Sequence, residues 1–139
     1  MRWMIMPLRR YADFSGRSRR LEYWSFVLFI FLATFGSIFV SVLLDGLITA
    51  VVGHGSVSVV IAVSLLLVLG LGWLALIIPW FAVLVRRLHD TDRSGLWLLL
   101  WLLPFGGFVI LVFLLIEGTN GPNSYGPDPR DEYSVEVFA

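Results

Sequence analysis

From Trp24 onward the chain alternates between long stretches free of Asp, Glu, Lys, Arg and His and short polar interruptions. The charge-free stretches are 24–44, 57–85 and 96–116. The first has 21 residues. At a rise of about 1.5 Å per residue it matches a hydrocarbon core about 30 Å thick. Within it Ala33, Ser37 and Ser41 recur every four residues beside Gly36, while Phe26, Phe29, Phe31, Phe35 and Phe39 surround that stripe. Small residues on one face admit a second helix, either from the same chain or from another copy.

The second stretch has 29 residues, so it must tilt, bend or project. Gly70 and Gly72 thin its middle, and Trp80 marks its interfacial end. Pro79 removes the hydrogen bond to the Ala75 carbonyl and predicts a kink. The third stretch opens on Ser94-Gly95, carries Trp97 and Trp101 on one side, and is interrupted by Pro104, Gly106 and Gly107 at mid-depth. We read it as a kinked spanning helix rather than a hinge or re-entrant break, because irregular backbone must be shielded from lipid.

The polar segments complete the pattern. Trp3, Pro7, Leu8, Tyr11 and Phe14 recur at roughly helical spacing with arginines between them, which predicts a short helix in the headgroup region. The stretch GRSRRLEYW, Gly16–Trp24, runs from cations to aromatics to apolar residues, the profile of a chain entering a bilayer. In it Glu22 is placed to pair with Arg19. A connector from Asp45 to Ser56 contains His54 among glycines and no arginine; we read His54 as a solvated loop residue. The stretch RRLHDTDRSG, Arg86–Gly95, reads as a short surface loop. From Glu117 the chain is rich in Gly, Pro, Asn and Asp and reads as successive turns. Tyr133, Val135, Val137 and Phe138 close it as a strand fragment or a loose end.

Composition narrows the reading. Apolar residues make up 58% and charged residues 14%, against about 45–50% and about 25% in soluble domains. With no cysteine, disulfides, thiol catalysis and thiolate metal sites are excluded. The basic residues are all arginine, which we attribute to codon usage. The first apolar stretch is too long for a signal peptide and lacks a small-x-small cleavage site, so it reads as a retained anchor. Residues 1–23 carry six arginines against Asp13 and Glu22, while 117–139 carries five acids against Arg130. The positive-inside rule places the N-terminus and Arg86–Gly95 in the cytoplasm, and three spans then put the tail outside. A break at Pro104–Gly107 would instead return the acidic tail to the basic face.

None of the three stretches carries the intramembrane ionisable residues that ion-coupled transporters and proton relays need. Any chemistry falls to the surface segments. His89 and Asp92, with Asp90 between them, have the spacing for an acid–base pair or a shared metal. The structural account is simpler. Arg86 and Arg87 snorkel or bind lipid phosphate. Asp90 and Asp92 neutralise Arg93 or the N-terminal arginines, and Asp92 or Ser94 caps the third helix.

GRSRRLEYW, RRLHDTDRSG with Leu96-Trp97 after it, NSYGPDP (Asn123–Pro129) and the PFGG element at Pro104–Gly107 together resemble a bacterial inner-membrane family, domain of unknown function 805. The likeness covers nearly the whole chain in motif order. It departs at Leu21, where a basic residue is frequent, and in a longer glycine-rich second span. The resemblance implies a small multi-span inner-membrane protein, with no catalytic or ligand role for any residue. The residue types in these motifs suggest an ion-pair cluster at one bilayer face, linking Arg17, Arg20 or Glu22 with Asp90 or Arg93.

The expected fold is therefore an all-α membrane protein, one domain over 1–139. It has three transmembrane helices, a short N-terminal interfacial helix and a turn-rich C-terminal tail. The expected function is non-enzymatic. A charged cytoplasmic face of Arg17, Arg19, Arg20, Glu22, Arg86, Arg87, His89, Asp90, Asp92 and Arg93 meets anionic lipid headgroups or a protein partner. Ala33, Ser37 and Ser41 form the helix-packing stripe. No cofactor, metal, catalytic residue or nucleic-acid partner is expected; a homo-oligomer or another membrane protein is. The alternatives are a transporter or channel subunit, and an interfacial enzyme using His89 and Asp92.

Overall fold

Helix formation does not stop where the charge-free stretches stop. In the computed structural model, which describes residues 2–130, helix α1 spans Arg2–Arg9, α2 Arg20–Val52 and α3 Ser56–Asp90. A 3-10 helix spans Gly95–Leu102 and α4 spans Gly106–Leu115. Among the described residues there is no strand, only an isolated bridge between Asn123 and Gly126. Tyr133, Val135, Val137 and Phe138 lie outside the described residues.

α2 is 33 residues long and absorbs most of the predicted connector, Asp45 included. Nothing between Asp45 and Val52 breaks a helix except Gly46, which costs only about 1 kcal/mol. The stop comes at Gly53, whose φ of 79° is the left-handed conformation that closes helices, with its N–H on the Thr49 carbonyl at 3.0 Å. The connector shrinks to Gly53–Gly55. α3, 35 residues long, stays helical through Pro79 and continues to Asp90. The polar segment is thus not a loop from Arg86 onward: its first half is the last turn of α3. Arginine and leucine are good helix formers, and Arg87 and His89 suit a helix C-terminus. The chain then turns through Asp92, at φ 57°, with the Thr91 and Arg93 N–H groups both on the Leu88 carbonyl.

The third stretch is not one spanning helix. Pro104 has no N–H to continue a helix, Phe105 takes a left-handed φ of 66°, and the chain reverses. Trp97 meets Phe113 edge-to-face at 5.3 Å, and a Cβ at Gly106 would overlap the Leu100 carbonyl. The result is a hairpin. Its arms are about 16 Å of 3-10 helix and about 15 Å of α-helix, each about half a hydrocarbon core. Two helices, α2 and α3, are long and apolar enough to cross a membrane; α4 is a shorter apolar helix.

The chain divides into two compact units, one made of residues up to Phe26 and from Ile78 onward, the other of Val27–Ile77. The first has a core: Phe26, Ala82, Val83, Leu84 and Leu88 are fully buried, with Ile110 and Leu114 nearly so. Trp80 stacks on Trp101 at 5.6 Å beside it. In the second, Ser58 is the only buried residue among those described. There Ala33, Ser37 and Ser41 are half-exposed. The two serine hydroxyls donate to carbonyls of their own helix, Thr34 at 2.9 Å and Ser37 at 2.7 Å. Ser41 and Asp45 of α2 line a cavity of about 270 Å³ with Ala62, Leu65 and Leu66 of α3.

Candidate functional site

Three guanidinium groups and two carboxylates are buried in the first unit. Arg17 lies just before α2, Glu22 in its first turn, and Arg86, Arg87 and Asp90 in the last turns of α3. Asp90 is shared: one oxygen pairs with Arg17 at 3.0 Å, the other with Arg87 one turn earlier on the same helix. Arg86 pairs with Glu22 at 3.0 Å. Three positive groups against two negative ones leave an excess, and backbone carbonyls absorb it. Arg17 donates to Thr119 and Gly121, both at 2.6 Å. Arg86 donates to the Asp13 carbonyl at 2.6 Å. Arg87 donates to the carbonyls of Leu114 and Ile116, which the end of α4 leaves without helical partners.

This geometry changes several expectations. Arg86 and Arg87 do not snorkel to lipid phosphate, because both are fully buried. Glu22 pairs with Arg86 rather than Arg19. Arg93 is not neutralised by Asp90 or Asp92. It lies over the Phe113 ring at 4.1 Å and donates to the Thr91 carbonyl at 2.9 Å. Neither Asp92 nor Ser94 caps the hairpin with its side chain: Asp92 accepts from the Ser124 N–H at 3.2 Å, and Ser94 makes no such bond. His89 and Asp92 do not form an acid–base pair. The His89 ring bonds through Nδ1 to the Gly16 carbonyl at 3.1 Å and stacks on Tyr125 at 3.9 Å. Arg19 and Arg20 stand outside the buried set. Arg19 bonds to the Pro129 carbonyl and lies over Trp3, while Arg20 makes a long 3.8 Å pair with Glu117.

The tail is the partner that residue types alone did not reveal. The Thr119 N–H bonds to the Asp90 carbonyl at 2.8 Å, and the Asn123 amide donates to the His89 carbonyl at 2.8 Å. Gly118 must be glycine, since a Cβ there would overlap the Asp90 carboxylate. These contacts put the tail on the same end as Arg86–Gly95. Three full crossings would have separated the two. The physical cause is the hairpin reversal at Pro104–Gly106. The turn-rich NSYGPDP stretch contributes the Asn123 amide and the Tyr125 ring, but the carbonyls that hold Arg17, those of Thr119 and Gly121, precede it and carry no side-chain signature.

At the rim, Arg10 pairs with Asp13 at 2.6 Å. Partial burial pushes the Asp13 carboxyl up, but the Ser15 hydroxyl, Arg10 and the Ser15 N–H outweigh it and hold it at about 2. Asp128 is likewise held below the ordinary carboxylate range: against partial burial, Arg130 and the Gly121 N–H favour its charged form. Among the described residues no group of three His, Asp or Glu side chains is placed to hold a metal.

The sequence pattern of the family described as "Protein of unknown function (DUF805)" matches residues 11–127. The chain belongs to this family. It is 40% identical over 137 residues to the Escherichia coli (strain K12) inner membrane protein YhaI, covering 94% of this chain and 97% of that one. It is 41% identical over 135 residues to inner membrane protein YhaH of the same strain, covering 95% and 99%. No solved structure matches. The matched span takes in every residue of the buried charge cluster, the hairpin and the tail as far as Pro127.

Proposed function

We propose that the chain is a multi-pass inner-membrane protein without catalytic activity, presenting a charged cytoplasmic face to anionic lipid or to a protein partner. α2 and α3 cross the bilayer, and the 3-10–α4 hairpin dips in from the cytoplasmic side and returns. α1 lies in the headgroup region. The bonds from Arg17 and Asp90 to Thr119 and Gly121 carry this reading, because they hold the tail at the arginine-rich end. All ten arginines lie before Leu21, between Arg86 and Arg93, or at Arg130, and none in the Gly53–Gly55 connector. By the positive-inside rule that end is cytoplasmic. The buried cluster is held by its own partners, with the Arg86 Nε alone left without one among the described residues, and serves as a structural clamp. Recognition is left to the exposed groups around it, Arg20, Arg130 and Asp92 among them. A non-enzymatic role is favoured because His89 and Asp92 are each engaged by backbone groups rather than aimed at one another.

Purification from native membranes in a mild neutral detergent tests this. The expected result is retention of anionic lipid, or of a stoichiometric membrane-protein partner, that high salt releases because exposed charges are screened. Protein that retains neither beyond the neutral-lipid background contradicts it.

A further inference from the structure

Beside the buried cluster lies a cleft of about 250 Å³, several times the ~30 Å³ share of a water molecule. Arg19, Arg20 and Arg130 line it, with Leu21, Glu117 and the edge of Asp90. Arg130 pairs with Asp128 at 3.2 Å and Arg19 bonds to the Pro129 carbonyl, so the open positive charge is chiefly that of Arg20. Asp90 is already shared between Arg17 and Arg87, and Glu117 is 75% exposed and 3.8 Å from Arg20. The cleft opens at the first turn of α2, whose dipole adds positive potential there. Arg20, 47% exposed, has no closer ionic partner among the described residues. Leu21 in its lining is exposed, and so are Leu115 and Ile116, which lead along the chain into the lining residue Glu117.

From this combination we propose that the cleft holds the phosphodiester headgroup of an anionic phospholipid, with acyl chains lying against Leu21, Leu115 and Ile116. The inference rests on the membrane reading above and names the ligand class of that face. Guanidinium groups match phosphate oxygens in pairs. A zwitterionic headgroup would bring its own cation against three arginines. Free phosphate would leave those apolar side chains unused.

The full-length protein in neutral detergent, titrated with phosphatidylglycerol, phosphatidylcholine or inorganic phosphate and read by native mass spectrometry, tests the assignment. The wild type is expected to prefer phosphatidylglycerol to phosphatidylcholine. Arg20→Gln and Arg130→Gln are each expected to weaken phosphatidylglycerol binding about fivefold. Arg9→Gln, which removes the same charge from an exposed position on α1, is expected to change it by less than about twofold. Should Arg130→Gln lower the helical circular dichroism, Arg20→Gln alone decides, because Arg20 is exposed and its ion pair with Glu117 is long and solvated. Unchanged phosphatidylglycerol affinity in Arg20→Gln, with the lipid preference intact, overturns the cleft and leaves the charged face standing. Absence of any preference in the wild type overturns the cleft and the lipid arm of the charged-face reading, and leaves only its protein-partner arm. Inorganic phosphate binding as tightly as the lipid, with the same dependence on Arg20, overturns the lipid assignment in favour of a soluble phosphate.

Discussion

One unit of this protein buries charge; the other buries almost nothing. Residues up to Phe26 and from Ile78 enclose Arg17, Glu22, Arg86, Arg87 and Asp90 beside a core of Phe26, Val83, Leu84 and Leu88. Residues 27–77 leave Leu66, Leu67, Leu71 and Leu74 each at least 60% exposed. In water that balance is untenable, since contiguous apolar surface on this scale drives association. In hydrocarbon it is ordinary, because lipid tails are as apolar as leucine. The contrast teaches where structural specificity resides. The apolar helices need only length and composition, whereas the charged end needs particular partners at particular distances.

The contrast can be broken most severely at Asp90. Asp90→Ala leaves both Arg17 and Arg87 buried without their carboxylate, and loss of one partner of a buried pair costs about 3–5 kcal/mol. Thermal unfolding in detergent should show that loss; a change within about 0.5 kcal/mol would mean the cluster is not dry. The next largest effect lies in the other unit. Leu71→Arg places a charge midway along α3, where insertion scales put the cost at about 2.5–3.5 kcal/mol. A membrane-insertion assay should register it, and full insertion without penalty would argue that this face meets water. The smallest effect is at the rim. The Asp13 carboxyl is held at about 2, below its ordinary 3.8. Its contribution to stability is therefore complete above the ordinary value and is lost as pH falls through about 2. An acid titration of the unfolding midpoint should show Asp13→Asn removing only that low-pH component.

Much of this was legible in the sequence. The absence of charge from 24–44 and 57–85 announces α2 and α3, and the cations ahead of Tyr23 and Trp24 announce an interfacial end. The residue types of the charged motifs suggest a cluster linking Arg17, Arg20 or Glu22 with Asp90 or Arg93. Of these pairings Arg17 with Asp90 forms, while Glu22 pairs with Arg86, Arg20 with Glu117, and Arg93 lies over Phe113. The exact pairing was not legible, because Glu22 can reach Arg19 along the helix as readily as Arg86 across it. Nor was the hairpin. The stretch 96–116 has the length of a span, and Pro104 alone does not separate a kink from a reversal. What separates them is the closure of Thr119 on Asp90, a backbone hydrogen bond that no residue type encodes. The same reason hid the true surroundings of Arg86 and Arg87. Arginines beside an apolar stretch read as snorkelling side chains until the carbonyls of Asp13, Leu114 and Ile116 are seen to enclose them.

The account stands on the tail and the Arg86–Gly95 segment sharing one side of the membrane, and the cysteine-free chain makes that directly measurable. His54→Cys, Asp92→Cys and Asn120→Cys each place a lone thiol at an exposed position. A membrane-impermeant maleimide is applied to intact spheroplasts and then to disrupted ones. The thiol at position 54 should label in the intact cells, and those at 92 and 120 only after disruption. Labelling at 120 in intact cells alongside 54, with 92 protected, would place the tail across the bilayer and contradict the account.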